Sequence, residues 1–256
     1  MPVRFPPQSA YPPFPPPALD RALKTSDRIA AAIIEDIVTN GLQPGDRLPN
    51  EAAMVERFRV ARGSLREALR ILEVHGLISQ RTGPGGGPFV IAVHPRNVAR
   101  TFSLYLHLAG ATIRELLEAR LFVEPMIARQ AALTGGPVEL QRLRDAVEYE
   151  ASIPARDGRY LHAANNFHYA LATMSGNRVI DLVATALKEL STSRVVEGGL
   201  IGLSQDDLRH EHAAIAEAIF RGDAATAERL TGEHTQFYLG LVAAVPGLAQ
   251  QTISWG

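Results

Sequence analysis

The chain has 256 residues, of which 46% are hydrophobic and none is cysteine, and its formal net charge is −1. This length suits two domains, and the composition excludes intrinsically disordered chains, disulfide frameworks and thiolate metal sites. We find neither a run of about 18 apolar residues nor the apolar segment of a signal peptide, so we expect a cytoplasmic protein without membrane spans. The near-neutral charge argues against histone-like coating of nucleic acid, but specific DNA binding depends on where the arginines lie.

Residues 1–25, at the start of the chain, are rich in proline. Repeated proline prevents helix formation and favours an extended, solvated backbone. We therefore predict a disordered tail.

Three helices and a hairpin are predicted in residues 26–95. Isoleucines at helical spacing indicate the first helix, Asn50 can cap the second, and the third runs from Arg62 to His75. Two short strands, 77–80 and 88–91, flank a glycine-rich loop. This order is typical of a winged helix-turn-helix, in which the hairpin is the wing.

The third predicted helix carries arginines on a face that its leucine row leaves free. Arg62 and Arg66 are four residues apart on that face. Gly63 and Ser64 lie near the helix start, where backbone N–H groups can approach a phosphate. The alternative is a solvated helix with ordinary surface arginines, and these residues alone do not decide between the two.

Residues 26–91 closely resemble the DNA-binding domain of the GntR family in order and spacing. The motifs that carry the resemblance are Gly41–Glu51, Val60–Arg62, Leu65–Leu69, His75–Ile78 and Phe89–Val90. The resemblance implies groove and phosphate contacts by Arg62, Gly63, Ser64 and Arg66, and a wing tip at Gly85 and Gly86. Two positions depart from the family pattern: Ala61 loses the usual cap, and Ala52 replaces a DNA-contacting arginine of many members.

From residue 97 to about 244 the pattern is helical throughout, broken by short loops rich in glycine, proline and asparagine. We predict an all-helical antiparallel bundle of six or seven helices over residues 96–245, and a frayed tail over 246–256. The predicted fold class is therefore mainly α, with the small hairpin as its only sheet.

Charged and imidazole side chains fall in the apolar rows of this bundle. Arg120 and Glu124 share the inward row of one helix, and buried charges need a partner or a ligand. They either pair with each other or hold a ligand, and both can be true. Three helices each point one histidine inward: His168, His212 and His234. A lone inward histidine is usually hydrogen-bonded structure, whereas three converging imidazoles suit Zn, Ni, Fe or Cu.

Residues 97–243 are similar to the FCD effector domain, which defines the FadR-like branch of the GntR family. The matching segments are Glu115–Glu124, Asn166–His168, Ser175–Asn177, Glu211–Ala218, Gly222–Ala224 and His234. The resemblance implies an effector pocket in which Arg120 binds a carboxylate and Asn177 lies nearby. It also implies a divalent metal, Zn or Ni, held by His168, His212 and His234.

The fourth metal ligand of that family is an aspartate four residues before the first histidine, and here that position is Ala164. Alanine cannot ligate, and the neighbouring Asn165 offers only a neutral, weaker oxygen to the pocket. We therefore expect weakened metal affinity. Either the metal recruits the effector's own carboxylate, or the histidines bind the effector without metal.

These features predict a ligand-controlled DNA-binding homodimer. A single recognition helix contacts few base pairs, so we expect two copies on a pseudo-palindromic operator. The expected effector is a small organic acid and the expected role is that of a repressor. The alternative is a three-histidine metal-dependent enzyme with a DNA-binding head. Against it, no general base is expected near the histidines, because Glu211 should point away from His212 and Glu124 should pair with Arg120.

Overall fold

The computed structural model describes residues 24–83, 85–154, 157, 159–197 and 205–254. The chain divides into two compact units, residues 1–97 and 98–256. Nearly all of the predicted N-terminal tail lies outside the described residues. In the part of the chain that is described, no helix is long and apolar enough to cross a membrane.

In its described residues, up to Val90, the first unit contains three helices followed by two strands. These are α1 (Thr25–Thr39), α2 (Glu51–Phe58), α3 (Arg62–Val74), β1 (Ile78–Arg81) and β2 (Gly87–Val90). Seven further helices follow. These are α4 (Pro95–Leu108), α5 (Ile113–Thr134), α6 (Pro137–Ser152), α7 (Tyr160–Ala172), α8 (Arg178–Glu197), α9 (Gln205–Phe220) and α10 (Ala224–Ala244). The predicted fold class is confirmed.

The core of the first unit lies between α1 and α3. Ile33 of α1 and Leu65 and Leu69 of α3 are at most 2% exposed, as their helical spacing requires. The side chain of Asn50 accepts a hydrogen bond from the backbone N–H of Ala53 at 2.9 Å, so the predicted cap of α2 is confirmed. The strands pair antiparallel in one register, which runs from Ile78 opposite Val90 to Arg81 opposite Gly87.

The second unit is a bundle in which α5 runs beside α10 and also contacts α7, α8 and α9. Its largest apolar cluster includes Ile127, Leu143, Phe167 and Ile215, all of which are fully buried. Thr112 and Glu115 form a reciprocal capping box at the start of α5. This central helix therefore begins at a defined residue and positions the side chains of its inward row.

Residues after α10 were predicted to fray, but the structure packs them against α5. Leu248 and Ala249 are buried beside Ile113, and Ile253 is buried in a neighbouring cluster. The backbone N–H of Ile113 donates to the carbonyl oxygen of Gln251 at 3.0 Å. The prediction was wrong because Pro246 and Gly247 form a turn that brings apolar residues back to the bundle.

Candidate functional site

One candidate surface is the exposed face of α3. Arg62, Gly63 and Arg66 are exposed there, and Ser64 is half-buried. Ala61, which precedes the helix, makes no side-chain hydrogen bond to its first turn, so the expected loss of a cap is confirmed. Uncapped N–H groups beside exposed arginines favour the approach of an anion such as phosphate.

Two arginines near this face form ion pairs that their sequence positions did not suggest. Arg66 Nε lies 3.0 Å from Glu51 Oε2, and the arginine side chain remains 71% exposed. Arg57 lies 2.6 Å from Asp36 and so links α2 to α1. The positive charge of the face is therefore smaller than the number of arginines implies, and Glu51 orients Arg66.

The loop between the two strands contains the glycines that were expected at the wing tip. Gly85 has a φ of +79°, a conformation that favours glycine. A Cβ on Gly86 would lie 2.3 Å from the carbonyl oxygen of Arg81, so the loop cannot hold a larger residue there without moving. The guanidinium of Arg47 donates to the carbonyl oxygen of Gly86, which ties the loop to the body of the unit.

A second candidate site lies inside the bundle, where α7, α9 and α10 each contribute one histidine. His168, His212 and His234 are at most 7% exposed, and each offers one nitrogen within 4.8 Å of the other two. The Nε2 atoms of His234 and His168 are 3.3 Å apart. Phe167 stacks on the imidazole of His212 with ring centroids 4.2 Å apart, which fixes that ring. The structure therefore brings the three predicted histidines together.

A carboxylate lies on the Nδ1 side of each imidazole. The Nδ1–carboxylate distances are 2.8 Å for His212–Glu150, 2.7 Å for His234–Glu211 and 3.4 Å for His168–Glu124. For His212 and His234, a carboxylate that accepts from Nδ1–H leaves the Nε2 lone pair free to ligate. The Nδ1 of His168 lies 3.4 Å from Arg120 Nη2 as well as from Glu124. We looked for a general base in the sequence and did not foresee that Glu150 and Glu211 reach His212 and His234 from other helices.

These imidazoles are suited to ligation by their charge state. Burial lowers the pKa of His168 well below its usual range, and the charge of Lys188 lowers it further. Burial also lowers the pKa of His212. Nε2 of His212 is buried and has no hydrogen-bond partner among the described residues. Three converging imidazole nitrogens, one of them orphaned, fit a divalent ion such as Zn²⁺ or Ni²⁺.

The predicted pair of Arg120 and Glu124 is confirmed. Arg120 Nε lies 2.6 Å from Glu124 Oε1, and both side chains are at most 7% exposed. Burial alone would raise the pKa of Glu124, but the Arg120 guanidinium and His168 hold that pKa well below its usual range. Arg120 also donates to Ser191 Oγ at 3.2 Å. The guanidinium therefore joins α5 to α8 beside the histidines.

The histidines open onto a small cavity in the bundle. We call it the histidine cavity, and its walls are Arg120, Leu161, Ala164, Asn165, His168, Lys188, Leu208, His212, His234, Thr235 and Tyr238. Ala164 lies in the wall, at the position where the resemblance to the FCD domain implied an aspartate. Asn165, which also lies there as predicted, accepts a hydrogen bond from Thr192 Oγ1 at 3.4 Å.

Asn177 does not line this cavity, contrary to prediction. It is exposed, and its Oδ1 accepts from the backbone N–H of Val179 at 2.9 Å at the start of α8. Asparagine is a preferred capping residue because its side chain satisfies N–H groups that the helix leaves free. The Ser175–Asn177 segment therefore marks the start of a helix.

Two titratable residues of the wall, Lys188 and Tyr238, were missed by the sequence analysis. Lys188 of α8 is 6% exposed, and burial together with the charge of Arg120 lowers its pKa well below the usual range. Burial raises the pKa of Tyr238 to about 12, so its hydroxyl stays protonated at neutral pH. Lys188 continues a buried row that includes Ala184 and Leu187, so helical spacing could have identified it.

Family models match both units. The model for "Bacterial regulatory proteins, gntR family" matches residues 25–88, and that for "FCD domain" matches residues 115–237. The HTH-type transcriptional regulator LutR of Bacillus subtilis is 31% identical over 199 residues, which are 75% of this chain and 90% of LutR.

Two further proteins are similar over most of their length. The HTH-type transcriptional repressor NanR of an Enterobacter strain is 26% identical over 224 residues, which cover 82% of each chain. The solved structure of Streptococcus agalactiae GntR has a TM-score of 0.67 at 25% identity and covers 84% of this chain and 99% of that one. These names describe regulators of transcription, and none of them favours the alternative of a metal-dependent enzyme.

Proposed function

We propose how this chain is controlled, given that it belongs to the GntR family of bacterial regulatory proteins, in the branch with an FCD domain. It is therefore a DNA-binding transcriptional regulator with a C-terminal effector domain. A small organic acid in the histidine cavity controls its binding to an operator. The protein acts in the cytoplasm as a repressor, as the similar NanR is named. The observation that carries the proposal is the meeting of three buried histidines and Arg120 in one cavity.

The DNA-binding step uses the exposed face of α3. Arg62 and Arg66 enter the major groove and contact bases or phosphates, while Gly63 and Ser64 let the backbone approach a phosphate. Gly85 and Gly86 carry the wing tip to the neighbouring minor groove. One such helix covers few base pairs, so a homodimer on a pseudo-palindromic site provides the needed affinity.

The effector step uses the cations and imidazoles of the histidine cavity. Arg120 holds a carboxylate of the acid, and its own pairing with Glu124 fixes the direction of the guanidinium. Asn165 contributes a neutral polar group to the same wall. The acid changes operator binding because it binds one state of the effector domain more tightly than another.

The histidines would hold a divalent metal, Zn or Ni, through Nε2 atoms whose partner nitrogens face Glu124, Glu150 and Glu211. When bound, the ion supplies a positive centre that attracts the carboxylate of the effector. Ala164 removes the anionic ligand of the family, so these residues hold the ion weakly until the acid provides an oxygen.

A two-part experiment tests the proposal. Duplexes that the protein selects from a random pool are titrated by fluorescence anisotropy with and without candidate acids. The thermal unfolding of the protein is followed with the same acids, before and after treatment with 1,10-phenanthroline. We expect one class of acid to raise the melting temperature and release the duplex, and the chelator to weaken both effects.

The matched variants are His234→Ala, in the cavity, and His210→Ala, on the same turn of α9 as His212 but exposed. His234→Ala should abolish the response to acid while duplex binding persists, and His210→Ala should behave as the unmodified protein. If no acid changes both measurements, the effector assignment is wrong. If purified protein carries no stoichiometric metal and the chelator has no effect, the metal assignment is wrong.

A further inference from the structure

Lys188 is a buried amine that no carboxylate of the described residues contacts directly. It is 6% exposed, and none of the described residues forms a hydrogen bond or ion pair with its ammonium group. A buried charge is normally neutralised by a pair, because leaving it unpaired opposes folding. Arg120, in the same cavity, meets this requirement through Glu124. The charges of Glu124, Glu150 and Glu189 act on Lys188 without contacting it, so among the described residues it lacks the direct ion pair that Arg120 has.

Lys188 lies close to the imidazoles of the histidine cavity. It lies in the wall of the histidine cavity, and its charge lowers the pKa of both His168 and His212. The ammonium group is thus within electrostatic reach of two of the three histidines. A ligand that occupies the histidines would have Lys188 as a second contact.

The wall of the histidine cavity contains no carboxylate among the described residues that line it. Its charged members are Arg120 and Lys188, whereas Glu124, Glu150 and Glu211 lie behind the imidazoles and outside the wall. Ala164 is only 6% exposed and adds no polar atom. Any negative charge that meets Lys188 in this cavity therefore has to arrive with the ligand.

We infer that Lys188 forms a second anion subsite, so that the effector is a small acid with two anionic groups, one held by Arg120 and the histidines and the other by the Lys188 ammonium group. This inference rests on the proposed function of the cavity. It narrows the ligand from organic acids in general to dicarboxylates or acids of equal charge. A bound dianion would supply the direct ion pair that Lys188 lacks among the described residues.

The test compares acids that differ in one carboxylate. Dicarboxylates of three to six carbons, including malate and succinate, are each paired with the monocarboxylate in which a methyl group replaces one carboxylate, such as 2-hydroxybutyrate and butyrate. Affinities for the full chain are measured by calorimetry in a carboxylate-free buffer, after treatment with 1,10-phenanthroline and again with added Zn²⁺. We expect at least one dicarboxylate to bind about tenfold more tightly than its partner.

Lys188→Met keeps the length of the side chain and removes its charge. The variant should lose about tenfold in affinity for that dicarboxylate and change less than about twofold for the monocarboxylate. It should also melt at a higher temperature without ligand, because the cost of burying a polar amine is gone. Arg178→Met is the matched control, since it removes an exposed cation from the same helix. It should leave all three quantities unchanged.

Several outcomes would overturn the inference. If monocarboxylates bind as tightly as dicarboxylates, or if Lys188→Met weakens both classes equally, Lys188 is not a second subsite and the proposed function remains. If no acid binds the unmodified protein, the proposed function of the cavity fails and the inference fails with it. The comparison of acids on the unmodified protein decides the matter even if Lys188→Met does not fold.

Discussion

The two units differ in where they keep their functional charges. In the first unit Arg62 and Arg66 are exposed on α3, and Arg66 forms an exposed ion pair with the carboxylate of Glu51. In the second unit Arg120 and Lys188 are buried beside three imidazoles. Exposed charges contribute little to the free energy of unfolding, whereas the loss of one member of a buried ion pair lowers it strongly. Function and stability should therefore be separable in the first unit and coupled in the second.

The largest expected effect of this difference is that of Arg120→Ala. The substitution leaves the carboxylate of Glu124 buried and unpaired, which should lower the free energy of unfolding of the second unit by about 3–5 kcal/mol. Chemical denaturation followed by circular dichroism measures the loss. Arg114→Ala, on the same helix with a side chain that is 43% exposed, should cost less than about 0.5 kcal/mol. Equal losses in the two variants would contradict the coupling of charge and stability.

Glu150→Gln should have the next largest effect, on metal affinity. Glu150 contacts Nδ1 of His212 at 2.8 Å and also accepts from the hydroxyl of Tyr160 at 2.9 Å. Loss of its charge should lower the affinity of the cavity for Zn²⁺ by about 10- to 100-fold, as is usual for a carboxylate behind a ligating histidine. Competition with a chromophoric chelator measures this, and Glu148→Gln, exposed on the same helix, is the control. An unchanged affinity for Zn²⁺ would show that Glu150 does not support metal binding by His212.

Gly86→Ala tests whether the wing, although exposed, is structurally constrained. Its new Cβ would lie 2.3 Å from one carbonyl oxygen, so the loop must move, at a cost of about 1 kcal/mol to the first unit. Duplex affinity should fall with little change in its salt dependence. Gly63→Ala has no atom within 4 Å of the new Cβ and should not destabilise the unit. Thermal unfolding distinguishes the two, and equal stability would show that the loop accommodates a side chain.

Arg66→Ala should have the smallest effect on stability and a clear effect on binding. The side chain is 71% exposed, so the free energy of unfolding should change by no more than about 0.5 kcal/mol. Loss of one phosphate contact should make the slope of log affinity against log salt shallower by about 0.9. Arg142→Ala, exposed in the second unit, should leave the slope unchanged. The groove assignment fails if both variants give the slope of the unmodified protein.

The fold was largely predictable because each element carries its own local signal. The apolar rows of α1 and α3, the cap at Asn50 and the glycine-rich loop define the first unit without long-range information. The histidines were predictable for the same reason, since each lies in the apolar row of its own helix. Local periodicity shows which face of a helix is buried.

The contacts between helices were not predictable in this way. Periodicity does not show that Glu150 of α6 meets His212 of α9, or that Glu211 of α9 meets His234 of α10. Such pairs depend on how the bundle is assembled. Asn177 was wrongly assigned to the effector pocket, because its side chain has a purely local role in capping the start of α8.

The return of the chain end to the bundle has a practical consequence for the site. The carbonyl oxygens of Ala249 and Gln251 accept from the backbone N–H groups of Arg114 and Ile113, two of the groups that the first turn of α5 leaves free. The first turn of the helix that carries Arg120 and Glu124 is thus capped by residues near the end of the chain, far from these two residues in sequence. Removal of residues 246–254, or a bulky fusion that pulls them away, would unwind this turn and loosen the ligand pocket from a distance.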